Sequence, residues 1–281
     1  MNKKLKTPLR YPGGKSRAVA KMMPYFPPTN NIKEYREPFL GGGSVALWVT
    51  QYYPNLERIW VNDKYWLLYN FWIHLQKDGE ALSAILKEWK TDNHTQDKAR
   101  ILFNKCKVEM HETGTSDLMK AAMFWTVNKC GFSGLTELAS FSAGSSDKNF
   151  TLQGIDNLIE YSKLIQNWYI TNLSYENLLV PGEDDENVFI YLDPPYEIKS
   201  KLYGKKGAMH KGFDHDLFAE KCNKTFGPQI AVSYNADQSV MDRFPDWQQV
   251  TFPLTYTMRS NSANYRNNQK KRDELLLLNY D

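Results

Sequence analysis

The sequence predicts an α/β fold built on a seven-stranded sheet, mostly parallel with an antiparallel last strand, and interrupted by a mainly helical insert. Three observations carry that reading. Short apolar or β-branched runs recur near 34–39, 57–62, 168–172, 187–193, 228–234, 247–254 and 274–280, which gives seven strand candidates. Helical patterns lie between several of them, as alternating α/β units require. The last two runs are joined by a polar, basic stretch instead of a helix, so they are expected to pair antiparallel at one edge of the sheet.

Near the amino terminus, Leu9-Arg10-Tyr11-Pro12-Gly13-Gly14-Lys15 precedes a helical stretch. The first strand runs into Glu37-Pro38-Phe39-Leu40-Gly41-Gly42-Gly43-Ser44 and then into a helical pattern over Ser44 to Tyr53. Glycines there let the backbone approach a ligand closely at the amino end of that helix. Asp63 ends the second strand 20 residues after Gly43, the spacing at which a carboxylate meets the ribose hydroxyls of a bound nucleoside. The loop is not GxGxxG, and no P-loop lysine follows it. Adenosyl-methionine therefore fits better than a dinucleotide or ATP.

About a hundred residues separate the second and third strands. Asp63 to Lys90 carries Trp, Leu, Tyr and Phe at helical spacing, and Asp97 to His111 reads as amphipathic helix. After Thr126 the texture changes to Asn128-Lys129-Cys130-Gly131-Phe132-Ser133-Gly134 and then to the Ser/Gly/Asp-rich Ser140 to Asn149. We expect residues 79–164 to form an inserted helical and hairpin subdomain, with 1–78 and 165–281 composing the sheet domain. A further helix is expected over Asp214 to Lys224, before the fifth strand.

The fourth run, Val188-Phe189-Ile190-Tyr191-Leu192, closes on Asp193-Pro194-Pro195-Tyr196. Prolines cannot continue a sheet ladder, so the chain must turn and present Asp193 and Tyr196 at the strand's carboxyl edge, where open α/β sheets bind ligands. An exocyclic amino nitrogen is a poor nucleophile because its lone pair is delocalised into the ring. Fixed acceptors for its two hydrogens, here Asp193 and the Pro194 carbonyl, localise that pair again. A flat face from Tyr196 would hold the base by stacking, worth roughly 1 to 3 kcal/mol. A strand that simply ends in a turn, with Tyr196 as a half-buried aromatic, would give the same four residues, so the remaining motifs decide.

Composition excludes several classes. With 42% hydrophobic and 24% charged residues over 281 positions, the chain is ordinary for a globular protein rather than a disordered one. No segment reads as a signal peptide or membrane span, which predicts a cytoplasmic location. Cys106, Cys130 and Cys222 are widely spaced and suggest neither disulfides nor zinc. The histidines, His74, His94, His111, His210 and His215, form no cluster at ligand spacing, so no metal is expected. Net charge is only +3, so a nucleic-acid partner must be argued from where the charges lie. Arg259, Arg266, Lys270, Lys271 and Arg272, interleaved with Asn261, Asn264, Tyr265, Asn267 and Asn268, read as a phosphate-contacting loop. Lys199, Lys201, Lys205, Lys206 and Lys211, spaced by glycines, read as a basic lid or a solvated loop.

The amino-terminal segment, the EPFLGGGS loop and DPPY occur in the order seen in the Dam-type, or D12 class, DNA adenine-N6 methyltransferases, and the chain resembles that family from residue 9 to residue 280. The resemblance includes the family's Asn-plus-glycine stretch before a recognition hairpin, here Asn128 to Leu135, and its basic ending, here Arg259 to Leu277. It implies a Rossmann-like methyltransferase sheet and site-specific methyl transfer from S-adenosyl-L-methionine to N6 of adenine in double-stranded DNA, after the base is flipped out. It also implies roles. Tyr11, Lys15, Glu37, Phe39, Gly41, Gly43, Asp63 and Asp193 would bind the methyl donor. Asp193, Pro194, Pro195 and Tyr196 would form the catalytic group. Arg10, Asn128, Lys129, Arg259, Asn261 and Arg266 would contact DNA. A monomer would suffice, and no motif specifies a cognate restriction endonuclease.

One departure concerns the target sequence. Family members that read GATC carry an arginine in the hairpin after the asparagine, whereas no arginine occurs here between Arg100 and Arg243. Arginine is the commonest reader of guanine, so Lys129, Lys148 or polar groups must do that work, and GATC is not expected. The same pocket logic would serve cytosine N4 or RNA. A protein glutamine methylase would bring NPPY instead of DPPY, and a binding module that had lost catalysis would show decay of Asp193, Tyr196 or the glycine loop.

Overall fold

The computed structural model describes residues 4–11, 13–134, 136, 138–180, 185–196, 212–254 and 272–281. Seven strands form one sheet: β1 (Glu34–Glu37), β2 (Arg58–Asn62), β3 (Trp168–Thr171), β4 (Val188–Leu192), β5 (Gln229–Asn235), β6 (Gln248–Leu254) and β7 (Arg272–Leu278). Their order is β3-β2-β1-β4-β5-β7-β6. The first five are parallel, and β7 runs antiparallel to both neighbours. The mixed α/β sheet agrees with the sequence reading. What the pattern did not reveal is that β7 inserts between β5 and β6, and that it begins two residues before the expected 274, because Arg272 and Asp273 pair with Leu254 and Pro253.

Alternation along β4 explains the layers. Phe189 and Tyr191 join one buried cluster, with Tyr35, Leu276 and Leu278, while Val188, Ile190 and Leu192 join another, with Ile230, Val232, Leu275 and Leu277. Apolar residues on both faces are what a sheet covered on both sides requires. Helices α1 (Val19–Met22) and α2 (Ser44–Tyr52) cover the first face. Helices α9 (His215–Asn223) and α10 (Gln238–Asp242) cover the second.

Between β2 and β3 run α3 (Trp66–Lys77), α4 (Gly79–Asp92), α5 (Gln96–Glu109), α6 (Asp117–Cys130), α7 (Ala143–Asn149) and α8 (Leu152–Leu164). The apolar pattern over 63–90 is two helices, broken at Asp78. Helix α6 continues past Thr126, and the serine-rich stretch after it is partly helical, because the Ser142 hydroxyl accepts from Ser145 N at 3.3 Å and caps α7. These helices share the first-face cluster with the sheet through Phe71, Trp72, Leu86, Phe124 and Trp125. Gly131 and Phe141 form an antiparallel bridge, closing a small hairpin where one was expected. Cys106, Cys130 and Cys222 are buried free thiols.

Asn62 stitches three strand ends together. Its amide donates to the carbonyls of Pro38 (3.0 Å) and Leu173 (3.1 Å), and its Oδ1 accepts from Thr171 Oγ1 (2.9 Å) and Leu173 N (2.7 Å) at 1% exposure. Truncating it strands buried backbone groups of two connections. Asn62→Ala is therefore expected to lower unfolding free energy by about 2–4 kcal/mol in urea denaturation; a loss under roughly 0.5 kcal/mol would show that these bonds are dispensable.

Candidate active site at the carboxyl edge of the sheet

From β1 the chain steps one way, to β2 and β3, and then crosses over to β4 on the other side. The crevice between the carboxyl ends of β1 and β4 is thus the topological switch point, where open α/β sheets hold ligands. The β1 end supplies the glycine loop, and the β4 end supplies Asp193 to Tyr196.

The glycine loop is shaped by close approach. Leu40 N donates to Asn62 O at 2.9 Å, and Gly43 N to Leu40 O at 2.8 Å, which tightens the turn into α2. Gly41 and Gly43 have φ of 51° and 66°, in the left-handed region that favours glycine. A Cβ on Gly43 would lie 2.7 Å from the Trp72 ring, and one on Gly41 would lie 3.1 Å from Tyr11 Cε1. Tyr11 thus packs on the loop, and Thr7 Oγ1 donates to Gly42 O at 2.5 Å. Tyr11 O accepts from Gly14 N at 3.0 Å, a turn that delivers Lys15 into the crevice.

Asp63 joins the ends of β1 and β2. Its Oδ2 accepts from Gly41 N and its Oδ1 from Tyr65 N, both at 2.9 Å. Burial pushes its pKa up to about 6, against the opposing pull of those two donors. Glu37 is placed differently from a ligand-facing loop residue. It is 2% exposed, accepts from Tyr35 Oη at 2.5 Å and also receives the Ala46 N–H at the start of α2. Burial holds its carboxyl well above the usual range, and Asp193 and Asp63 raise it further. Glu37 supports the loop from beneath. Phe39 turns to the other face, stacked on Tyr175 with centroids 5.4 Å apart and edge-on to Phe213 at 5.8 Å.

At the β4 end, Lys15 is the central group. Its Nζ lies 2.8 Å from Asp193 Oδ1, 3.1 Å from Glu274 Oε1 and 2.5 Å from Tyr196 Oη, and 4.6 Å from the Tyr196 ring centroid. Burial would lower its pKa, but Asp193, Tyr196 and Glu274 together hold it well above the ordinary value, so it stays charged. Since Leu192 pairs with Val232, the next residues, Asp193 and Ser233, are neighbours. Ser233 Oγ donates to Asp193 Oδ1 at 2.9 Å and lies 2.8 Å from Tyr191 Oη. Both contacts fall on Oδ1. Burial raises the Asp193 pKa, and Lys15 opposes it. Pro194 is buried and Pro195 half-buried. Tyr196 stacks on Tyr234 at 5.7 Å, which is 2.8 Å from His215 Nδ1 through its hydroxyl.

Glu274, Ser233 and Tyr234 were not singled out by sequence. The available signal for Glu274 was the acidic pair Asp273-Glu274 opening a run of four leucines in β7. Among the proposed DNA-contacting residues, Asn128 is fully buried. It donates to the carbonyls of Arg10 (2.7 Å) and Gly134 (3.0 Å) and accepts from Arg10 N (2.9 Å). A direct contact with DNA finds no exposed atom there; Asn128 instead fixes Arg10, whose Nη1 donates to Gly131 O at 2.8 Å. Lys129 is half-buried over Trp125 at 5.2 Å, and burial lowers its pKa to about 8. Arg259, Asn261 and Arg266, with the basic lid from Lys199 to Lys211, lie outside the described residues.

The crevice suits a cationic nucleoside. Asp193 and Glu274 meet on the Lys15 ammonium at its β4 side, and Asp63 closes its β1 side by accepting from Gly41 N. A glycine loop, a carboxylate after the next strand and Asp-Pro-Pro-Tyr on one sheet edge are the elements on which the resemblance to amino-directed methyltransferases rests. A profile of the D12 class N6 adenine-specific DNA methyltransferases matches residues 11–267. The chain belongs to that family. It is similar to the Type II methyltransferase M.MjaIII of Methanocaldococcus jannaschii, with 26% identity over 257 residues, covering 82% of this chain and 84% of the other. Solved structures with a lesser likeness include the Haemophilus influenzae protein HI0767, described as a methylase (10% identity, TM-score 0.33, covering 95% and 96% of the two chains), and the rRNA methyltransferase aviRa of Streptomyces viridochromogenes (10%, TM-score 0.31, 92% and 81%).

The raised pKa of Asp63 has a testable sign. Its folded-state value of about 6 exceeds the ordinary 3.8, so the group favours the fold fully below about pH 4, and that contribution is lost as pH rises through 6. The stability of the wild type minus that of Asp63→Asn is expected to fall by about 3 kcal/mol between pH 4 and pH 7 in urea unfolding. A difference that does not change with pH would show that Asp63 ionises normally.

Proposed function

We propose that this chain methylates N6 of adenine within a specific sequence of double-stranded DNA, using S-adenosyl-L-methionine bound across the β1–β4 crevice. The observation that supports it most is the placing of Asp193 and Tyr196 opposite the glycine loop, with Lys15 reaching both. S-adenosyl-L-methionine supplies an electrophilic methyl group on a sulfonium. Tyr11, Phe39, Gly41, Gly43 and Asp63 would hold it, Asp63 accepting ribose hydroxyls on the lone pairs left by Gly41 and Tyr65. Glu37 serves by keeping the loop rigid.

The target base inside a duplex cannot reach this crevice, so it is swung out at a cost of a few kcal/mol. Tyr196 then stacks on it. Asp193 Oδ2 and the Pro194 carbonyl accept its two amino hydrogens, Oδ1 being taken by Lys15 and Ser233. As the nitrogen gains the methyl group it loses a proton toward Asp193, whose burial-raised pKa makes it a better acceptor than an ordinary carboxylate. Alignment supplies most of the acceleration. Residues 79–164 would recognise the target sequence, with Arg10 and Lys129 at their junction with the sheet domain, and Arg259, Asn261 and Arg266 would hold phosphates. The likeness to a Type II methyltransferase favours a modification role beside a restriction enzyme.

Incubation with unmethylated duplex DNA and the donor, digestion to nucleosides and mass analysis tests the reaction. N6-methyladenine is expected; N4-methylcytosine would move the target base, and no product from donor-binding protein would overturn the reading. Asp193→Ala is expected to abolish transfer while leaving DNA affinity within about threefold in a shift assay.

A further inference from the structure

We propose that Glu274 is a positioning residue for methyl transfer, setting the orientation of Tyr196 and dividing the charge of Lys15 between two carboxylates. The proposal rests on the active-site reading above. Glu274 lies on β7, opposite Asn235 of β5 and Phe252 of β6, and is fully buried. A carboxylate there is costly unless paired. Two of its partners are parts of the candidate site: Tyr196 Oη donates to Oε1, and Lys15 Nζ lies 3.1 Å from the same atom.

Geometry gives each contact a consequence. Tyr196 directly follows the two prolines, and its ring stack on Tyr234, the Lys15 ammonium over its face and the bond from its hydroxyl to Glu274 help to fix its plane. The hydroxyl is anchored to a strand in the middle of the sheet edge, so the ring face offered to a flipped base is set by β7. Lys15 touches Asp193 and Glu274 together. With Glu274 absent, the whole ammonium charge would fall on Asp193 and make that carboxylate a poorer acceptor for the amino hydrogen. Of the residues assigned to the donor, Glu274 touches Lys15 alone in these contacts, and neither contact reaches Gly41 or Asp63. The expected signature is therefore a loss in kcat with donor binding preserved.

Glu274→Leu, which suits the leucine run of β7, is expected to lower kcat on duplex DNA about tenfold or more, with the donor Kd changed less than about threefold. Glu274→Gln keeps an acceptor for Tyr196 and is expected to recover part of that loss. Tyr196→Phe removes only the hydroxyl, and adding Glu274→Leu to it is expected to cost clearly less than in the wild-type background, since both act through one contact. Unchanged kcat in Glu274→Leu, or fully additive losses in the double variant, overturns the proposal. Should Glu274→Leu not fold, Tyr196→Phe carries the test, and undiminished kcat there overturns it. Asp193→Ala, measured alongside, separates the two readings: activity in that variant sinks the active-site assignment itself, whereas an inactive Asp193→Ala beside a normal Glu274→Leu sinks only the role of Glu274.

Discussion

The ammonium of Lys15 is the group on which the catalytic edge depends. At 4% exposure it would be prohibitive alone. Surrounded by Asp193, Glu274 and Tyr196, it becomes the link among the amino-terminal segment, the end of β4 and the middle of β7. The same group makes two neighbouring carboxylates tolerable in a buried place. Removing the charge would leave Asp193 and Glu274 facing each other without compensation, and protonation of one would follow. The charge balance of Asp193 thus depends on a residue that the chain delivers more than 170 positions earlier.

A second constraint is steric. Trp72 fills the space that a Cβ on Gly43 would need, and Tyr11 fills that of Gly41. The loop is consequently held between two aromatic rings, one from the helix after β2 and one from the amino-terminal segment. Trp72 Nε1 also donates to Gly41 O at 3.1 Å, and Asp63 takes the Gly41 N–H at 2.9 Å, so both polar groups of that peptide are engaged by protein. A backbone fixed in this way presents a preformed wall to a ligand, which limits the ordering cost of binding.

Much of this was legible in the sequence because the signals are local. Glycines after one apolar run, an acid after the next and Asp-Pro-Pro-Tyr after a third each mark the carboxyl end of a strand, and parallel order then places all three on one edge. The same logic explains what stayed hidden. Glu274 and Ser233 matter through register, since β7 inserts between β5 and β6 and Ser233 follows Val232 opposite Leu192. Nothing near either residue announces its neighbour across the sheet. Asn128 shows the converse: a polar residue in a glycine-rich stretch suggests contact with a partner, but the structure spends its amide on Arg10 and Gly134. The inner break at Asp78 and the continuation of α6 through Cys130 likewise carry no local mark; α6 is held by packing on the helices around it, chiefly α3 and α5.

Asn128 also ties the helical insert to the amino-terminal segment. Residues 7–15 touch every part of the machinery. Thr7 and Tyr11 hold the glycine loop, and Lys15 holds Asp193 and Tyr196. Pro8 O accepts from Trp125 Nε1 at 3.2 Å, and Arg10 is clamped by Asn128 in the helical insert. Gly134 comes so near that a Cβ on it would lie 2.3 Å from Arg10 O, leaving no slack at the junction. The junction is therefore packed backbone against backbone at Arg10 and Gly134, with the Asn128 amide satisfying both carbonyls. Interfaces packed this tightly shift between discrete arrangements instead of deforming gradually. Contacts of the amino-terminal segment thus bring the insert, the glycine loop and the turn after β4 to one place, through side chains close together in sequence.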